Sequence, residues 1–187
     1  MRVTIRRAYF TVEPNIVDTS YIVTFIGDDR PGLVEELSTV IENNRGNWHE
    51  SRLSQLGGKF AGLILVSLPE ESGATLESQL KALSSSGLSV RVTPTSATSP
   101  VEGGRSITLS VLGPDRLGIV KEISHTLAEH QINVVEMDSQ VESAAMSGEA
   151  LFRARIDAHI PSDTDMADLI DRLEDIANHM TLDIDLD

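Results

Sequence analysis

The 187-residue chain contains no cysteine. That excludes a disulfide framework, thiolate catalysis and any zinc–cysteine site, and it fits a reducing cytoplasm. No apolar run approaches the roughly 18–20 residues needed to cross a bilayer; the longest, around 63–68, is of strand length. The opening MRVTIRRAYF lacks the apolar stretch of a secretory signal, and its alternating Val3 and Ile5 read as a strand. Basic residues are few and unevenly placed. Residues 1–100 carry 9 Lys/Arg against 11 Asp/Glu, and residues 101–187 carry 6 against 18, within a formal net charge of −14. A field of that sign repels phosphate backbones, and no basic recognition helix is visible. Neither nucleic acid nor a membrane is therefore an expected direct partner.

What the chain does have is a repeat. Residues 21–47, YIVTFIGDDRPGLVEELSTVIENNRGN, register without a gap on residues 107–133, ITLSVLGPDRLGIVKEISHTLAEHQIN. Gly27 falls on Gly113, Asp29 on Asp115, Arg30 on Arg116, Gly32 on Gly118 and Asn47 on Asn133. Further on, FAGLILVSLP at 60–69 answers FRARIDAHIP at 152–161, so the second copy has a longer hairpin near 142–148. Between the copies, TPTSATSPVEGGR is rich in Ser, Thr, Pro and Gly, as a linker is.

Each copy shows the same order of patterns. A β-rich run (21–26, 107–112) leads through a glycine turn into a helix. Val34, Leu37 and Ile41 form that helix's apolar stripe in copy one; Val120, Ile123 and Leu127, widened by Ile119, form it in copy two. Gly46, and a bend at Gln131 and Ile132, stop it. Two strands then form a hairpin, at Gly57-Gly58 in the first copy. A second helix comes next, striped by Leu76, Leu80 and Leu83 or by Leu169, Leu173 and Ile176. The last strand alternates through Leu88, Val90 and Val92, or through Leu182, Ile184 and Leu186. The expected fold class is α+β: two ferredoxin-like βαββαβ modules in tandem, their antiparallel four-stranded sheets paired side by side to hide open edges. The expected boundaries are a 1–20 extension with an extra strand, a module at 21–93, a linker at 94–105 and a module at 106–187.

The turns GDDRPG (27–32) and GPDRLG (113–118) carry the chemistry. Each joins a strand to a helix N-terminus, where unpartnered N–H groups and the positive end of the macrodipole favour a carboxylate. Glycine at both ends permits a tight turn and close backbone approach. Asp29 and Asp115 either cap their helices or accept hydrogen bonds from a ligand ammonium. Asn47 and Asn133 either close a turn or add an amide that both donates and accepts.

The GxDRxG turn, the helix, the asparagine and the strand after it resemble the ACT domain, a small regulatory module that binds small molecules. NWHESRLSQLGGKFAGLILV at 47–66, with Glu50–Arg52 as ESR, then Leu56-Gly57 and Phe60, resembles the first ACT domain of repressors that control glycine cleavage. In amino-acid-binding ACT domains the ligand sits at the junction of two modules. The resemblance implicates Gly27, Asp28, Asp29, Gly32 and Asn47, with Gly113, Asp115, Gly118 and Asn133. Copy two departs from copy one, with Leu117 in place of Pro31 and VEMD at 135–138 in place of HESR. The resemblance implies a cytoplasmic, non-enzymatic regulator that binds glycine or a similar small amino acid. Such a regulator acts on transcription through a protein partner such as an activator, and it is a homodimer. The competing reading is a ligand-free ACT scaffold for oligomerisation or protein–protein interaction.

The sequence calls for no cofactor and no metal. Glu122, His125 and Glu129 share a helical face opposite the apolar stripe and read as a solvent-side ion pair. His49-Glu50 lacks a second histidine at helical spacing. Trp48 is expected to pack between sheet and helix, and Arg30 and Arg116 to pair with neighbouring carboxylates.

Overall fold

Period-two burial builds the sheets. In the first strand Tyr21, Val23 and Phe25 face the core, while Ile22, Thr24 and Ile26 alternate outward. The computed structural model describes residues 18–95, 104–144 and 148–187, and the chain divides into two units, Met1–Thr98 and Ser99–Asp187.

The first unit runs β1 (Asp18–Asp28), α1 (Leu33–Asn43), β2 (Asn47–Leu56), β3 (Lys59–Pro69), α2 (Gly73–Ala82) and β4 (Ser89–Thr95). Its antiparallel ladders give the order β2-β3-β1-β4. The second repeats the plan with β5 (Gly104–Pro114), α3 (Ile119–Glu129), β6 (Asn133–Ser143), β7 (Ala150–Pro161), α4 (Met166–Met180) and β8 (Asp183–Leu186), in the order β6-β7-β5-β8. Each unit is thus a βαββαβ module with a four-stranded antiparallel sheet. Two of the sequence expectations lie partly outside the described residues: the extra strand at 1–20 for residues 1–17, and the linker for residues 96–103. Residues 145–147 of the longer hairpin lie outside them as well.

The helix stripes differ from the sequence reading only at their first member. Leu33, Leu37 and Ile41 are buried, and so are Ile119, Ile123 and Leu127; Val34 and Val120 are 42% and 45% exposed. Gly32 and Gly118 adopt left-handed backbone (φ 91 and 101) immediately before the first helical residue. That start turns Leu33 and Ile119 inward, so the stripe runs i, i+4, i+8. Each fully buried leucine, Leu37 and Leu127 among them, contributes about 1.5–3 kcal/mol through its burial.

Both helices end on a left-handed residue that is not glycine. Arg45 (φ 60) and Gln131 (φ 58) take that role. Around them, Gly46 N–H donates to the Ile41 carbonyl and Ile132 N–H to the Leu127 carbonyl, each at 2.9 Å. This is a Schellman closure of the last turn. The sequence reading assigned the stop to Gly46, which is the residue after the left-handed one.

Candidate ligand-binding turns

The turn after β1 is held by its neighbour in the fold. Gly57 and Gly58 both have positive φ (57 and 76), the signature of a two-residue hairpin between β2 and β3. The Gly58 carbonyl accepts the Asp29 N–H at 3.0 Å. In the second unit the Ala150 carbonyl accepts the Asp115 N–H at 2.8 Å.

Neither aspartate caps its helix. The residues in the cap position are Gly32 and Gly118, and among the described residues no side chain caps either helix start. The first N–H groups with intrahelical acceptors are those of Glu36 and Glu122, bonded to the carbonyls of Gly32 and Gly118 at 2.9 Å. The N–H groups of Leu33, Val34 and Glu35, and of Ile119, Val120 and Lys121, precede the first intrahelical bond. By contrast, α4 is capped by Asp165, which accepts from the N–H groups of Ala167 and Asp168 at 3.0 and 3.3 Å. The capping alternative for Asp29 and Asp115 is therefore corrected.

Around the start of α1 lies a depression of about 350 Å³, walled by Asp29, Arg30, Gly32, Leu33, Val34 and Phe60, among others. Arg30 forms a two-pronged pair with Glu36, at 2.7 and 2.8 Å. This hydrogen bonding holds the Glu36 carboxyl below its ordinary pKa and raises that of the guanidinium. Arg116 makes no corresponding pair among the described residues. Asp28 is exposed and bonds the Lys59 ammonium, which lowers its carboxyl pKa; Pro114 stands at its place in the second unit.

Gly27 and Gly113 are not on the surface of the turn. Both are buried within their strands. A β-carbon on Gly27 would lie 2.9 Å from Leu88 Cδ1 and 3.2 Å from the Gly87 carbonyl oxygen. On Gly113 it would lie 2.7 Å from both Leu182 Cδ2 and the Thr181 carbonyl oxygen. The close backbone approach that these glycines permit is to their own chain.

The asparagines stand apart from the turns. Gly27 pairs with Phe60 across β1 and β3, whereas Asn47 pairs with Ser67 across β2 and β3. Seven residues of extended strand, about 24 Å, separate those levels. The second unit has the same spacing, from Phe152 to His159. Asp29 and Gly32 thus gather at one helix start, as Asp115 and Gly118 do at theirs, while Asn47 and Asn133 sit at the opposite end of each sheet.

Phe60 was missed by sequence reasoning as a wall of the depression. The βαββ order was the available signal, because it returns the start of β3 to the end of β1. Trp48 packs half-buried against the first core, and His125 and Glu129 form an exposed pair at 3.5 Å.

Residues 19–93 and 107–178 each match the family model described as ACT domain. The chain belongs to the ACT-domain family. It is 25% identical over 149 residues to the glycine cleavage system transcriptional repressor of Escherichia coli (strain K12), covering 79% of this chain and 78% of that protein. The repressor of the same name from Shigella flexneri matches with the same figures. Among solved structures, an unknown protein from Galdieria sulphuraria aligns with a TM-score of 0.81 and 31% identity, over 91% of this chain and 98% of its own. A second structure, provisionally assigned as a glycine cleavage system transcriptional repressor, aligns with a TM-score of 0.67 over 91% and 97%; at 20% identity it speaks for the fold alone. This is a tandem ACT-domain regulatory protein related to the glycine cleavage repressors. Among the described residues, no helix is long and apolar enough to cross a membrane.

Proposed function

We propose that this ACT-domain protein is a non-catalytic sensor of a small amino acid, glycine or one close to it, that controls transcription through a protein partner and works as a homodimer in the cytoplasm. The observation that carries the proposal is the pair of helix starts without side-chain caps, each beside an aspartate whose side chain has no partner among the described residues. A free amino acid brings a carboxylate suited to the N–H groups and an ammonium suited to Asp29 or Asp115. The relationship to a transcriptional repressor supports the regulatory role, and the acidic second half favours a protein over DNA as the contact. Ligand binding would bias one arrangement of the protein, and the partner would read it. Glycine has five heavy atoms, and a ceiling of about −1.5 kcal/mol for each sets the tightest binding near micromolar.

A thermal-shift panel of the twenty amino acids tests this reading. A ligand at 100 times its dissociation constant adds about 2.7 kcal/mol, which is a rise of several degrees. Asp29→Ala should abolish or sharply reduce the response and leave the unliganded melting temperature unchanged. A flat panel with wild-type protein would overturn the sensor reading and leave the scaffold.

A further inference from the structure

In each unit the helices cover one face of the sheet, and the strand registers give the outward residues of the other face. At mid-sheet in the first unit, the outward row across β2, β3, β1 and β4 reads Arg52, Leu63, Thr24, Arg91. The equivalent row across β6, β7, β5 and β8 reads Asp138, Arg155, Ser110, Asp185. The outermost members are arginines in one copy and aspartates in the other. In both rows they stand three strand spacings apart, about 14 Å.

The rest of each face differs in the same sense. The first exposes apolar side chains near its arginines: Leu63 between them is 51% exposed, and Ile26 in the adjoining row is 50% exposed. The second carries a trough of about 810 Å³ that includes Asp138, Ser110, Arg155 and Asp185 in its walls. Its central cations are already occupied. Arg153 bonds Glu142 at 2.8 and 3.0 Å, and Arg155 lies 3.2 Å from Asp157, which also accepts from the Thr108 hydroxyl. Asp138 and Asp185 make no such bonds among the described residues, and Arg91 makes none either. Arg52 has two exposed local contacts, with the Glu50 carboxylate at 3.1 Å and the Ser51 carbonyl at 3.2 Å.

We propose that the outward sheet face of the first unit docks on the outward sheet face of the second unit of another copy of this chain, Arg52 and Arg91 meeting Asp138 and Asp185. The dimer so proposed makes two such contacts related by a two-fold axis, each copy giving one face of either kind. The matched 14 Å spacing, about three strand separations in both sheets, lets both charge pairs form at once. Complementary charges fix partner and register, and burial of Leu63 and the alkyl stems of the arginines supplies the attraction. With the strands of the two sheets running in opposed directions, Glu50 falls away from Asp187 and Ile22 falls on Leu112. The other orientation would set Glu50 against Asp187, so the opposed one is selected.

The docking surface rests on the homodimer reading and locates it; the experiment separates failure of the one from failure of the other. The wild-type chain is expected to sediment as a dimer at micromolar concentration. Two double variants reverse one row each: Asp138→Arg with Asp185→Arg makes both mid-sheet rows basic at their ends, and Arg52→Asp with Arg91→Asp makes both acidic there. Each alone should dissociate, its dimer constant weakened at least tenfold, with circular dichroism and melting confirming the fold. Mixed in equal amounts, they should form a heterodimer, since every basic row then meets an acidic one. A monomeric wild type would overturn the dimer and the surface together. A dimer that persists in both variants would overturn the surface alone. Two folded monomers that fail to associate on mixing would overturn docking between copies.

Discussion

His130 Nε2 lies 2.9 Å from Asp168 Oδ2, and this contact ties the C-terminal end of α3 to the first turn of α4. The other ring nitrogen, Nδ1, lies 2.8 Å from the Thr126 carbonyl oxygen. In the first unit the same repeat position is Asn44, whose amide nitrogen donates to the Val40 carbonyl and to Gln79 Oε1, both at 2.8 Å. One structural task, joining the two helices of a module, is done by a neutral amide in one copy and by a titratable ring in the other.

That difference gives a pH dependence. Both imidazole nitrogens face acceptors, and only the protonated ring donates to both. The Thr126 carbonyl is the main influence raising the His130 pKa above its ordinary value, partial burial opposes it, and Asp168 and Glu129 add to the rise. A folded value above the unfolded one means stability that is fully present below the unfolded pKa, near 6.5. It is lost as pH rises through the folded value. The melting temperature of the second unit should therefore fall between pH 6 and pH 8. His130→Gln should flatten that slope, and a slope unchanged in this variant would count against the assignment.

Gly113→Ala should destabilise the second unit by about 1–3 kcal/mol, the usual cost of overpacking. The added methyl would meet the Thr181 carbonyl oxygen and Leu182 Cα, at 2.7 and 3.1 Å, and neither can rotate away. Thermal melting reads the loss at roughly 4–8 °C per kcal/mol for a unit of this size. An unchanged melting temperature with a lost amino-acid response would instead make Gly113 a ligand contact.

Gln131→Gly should stabilise by about 0.5–1 kcal/mol. Left-handed backbone at φ 58 strains a side-chain-bearing residue by roughly 1–2 kcal/mol, and the greater freedom of glycine in the unfolded chain offsets part of the relief. Chemical denaturation should show a higher midpoint with the slope unchanged. A lower midpoint would show that the Gln131 side chain has a contact worth more than the strain.

The repeat made the fold legible, because one register of Gly, Asp, Arg, Gly and Asn set out two βαββαβ modules at once. Periodicity placed the helices and most of each buried stripe but missed its first member: Val34 and Leu33 are both apolar, and the left-handed Gly32 decides between them. The turns were legible as helix starts, whereas the absence of caps was not, since Asp29 is as good a capping residue type as Asp165. The separation of Asn47 from Asp29 was implicit in the strand order and emerged only once β3 was read as a ruler between them. Pairings such as Asp28 with Lys59 depend on the register of β1 against β3, which residue types alone do not fix.

The open starts of α1 and α3 have a thermodynamic consequence. A suitable side-chain cap is worth about 1 kcal/mol, and this chain places one on α4 but none on the two helices that come after its GxDRxG turns. On the sensor reading proposed above, an anion from solution satisfies the N–H donors of each of those turns. Folding and occupancy are then linked quantities, so that resistance to heat, urea or protease can report how full these positions are.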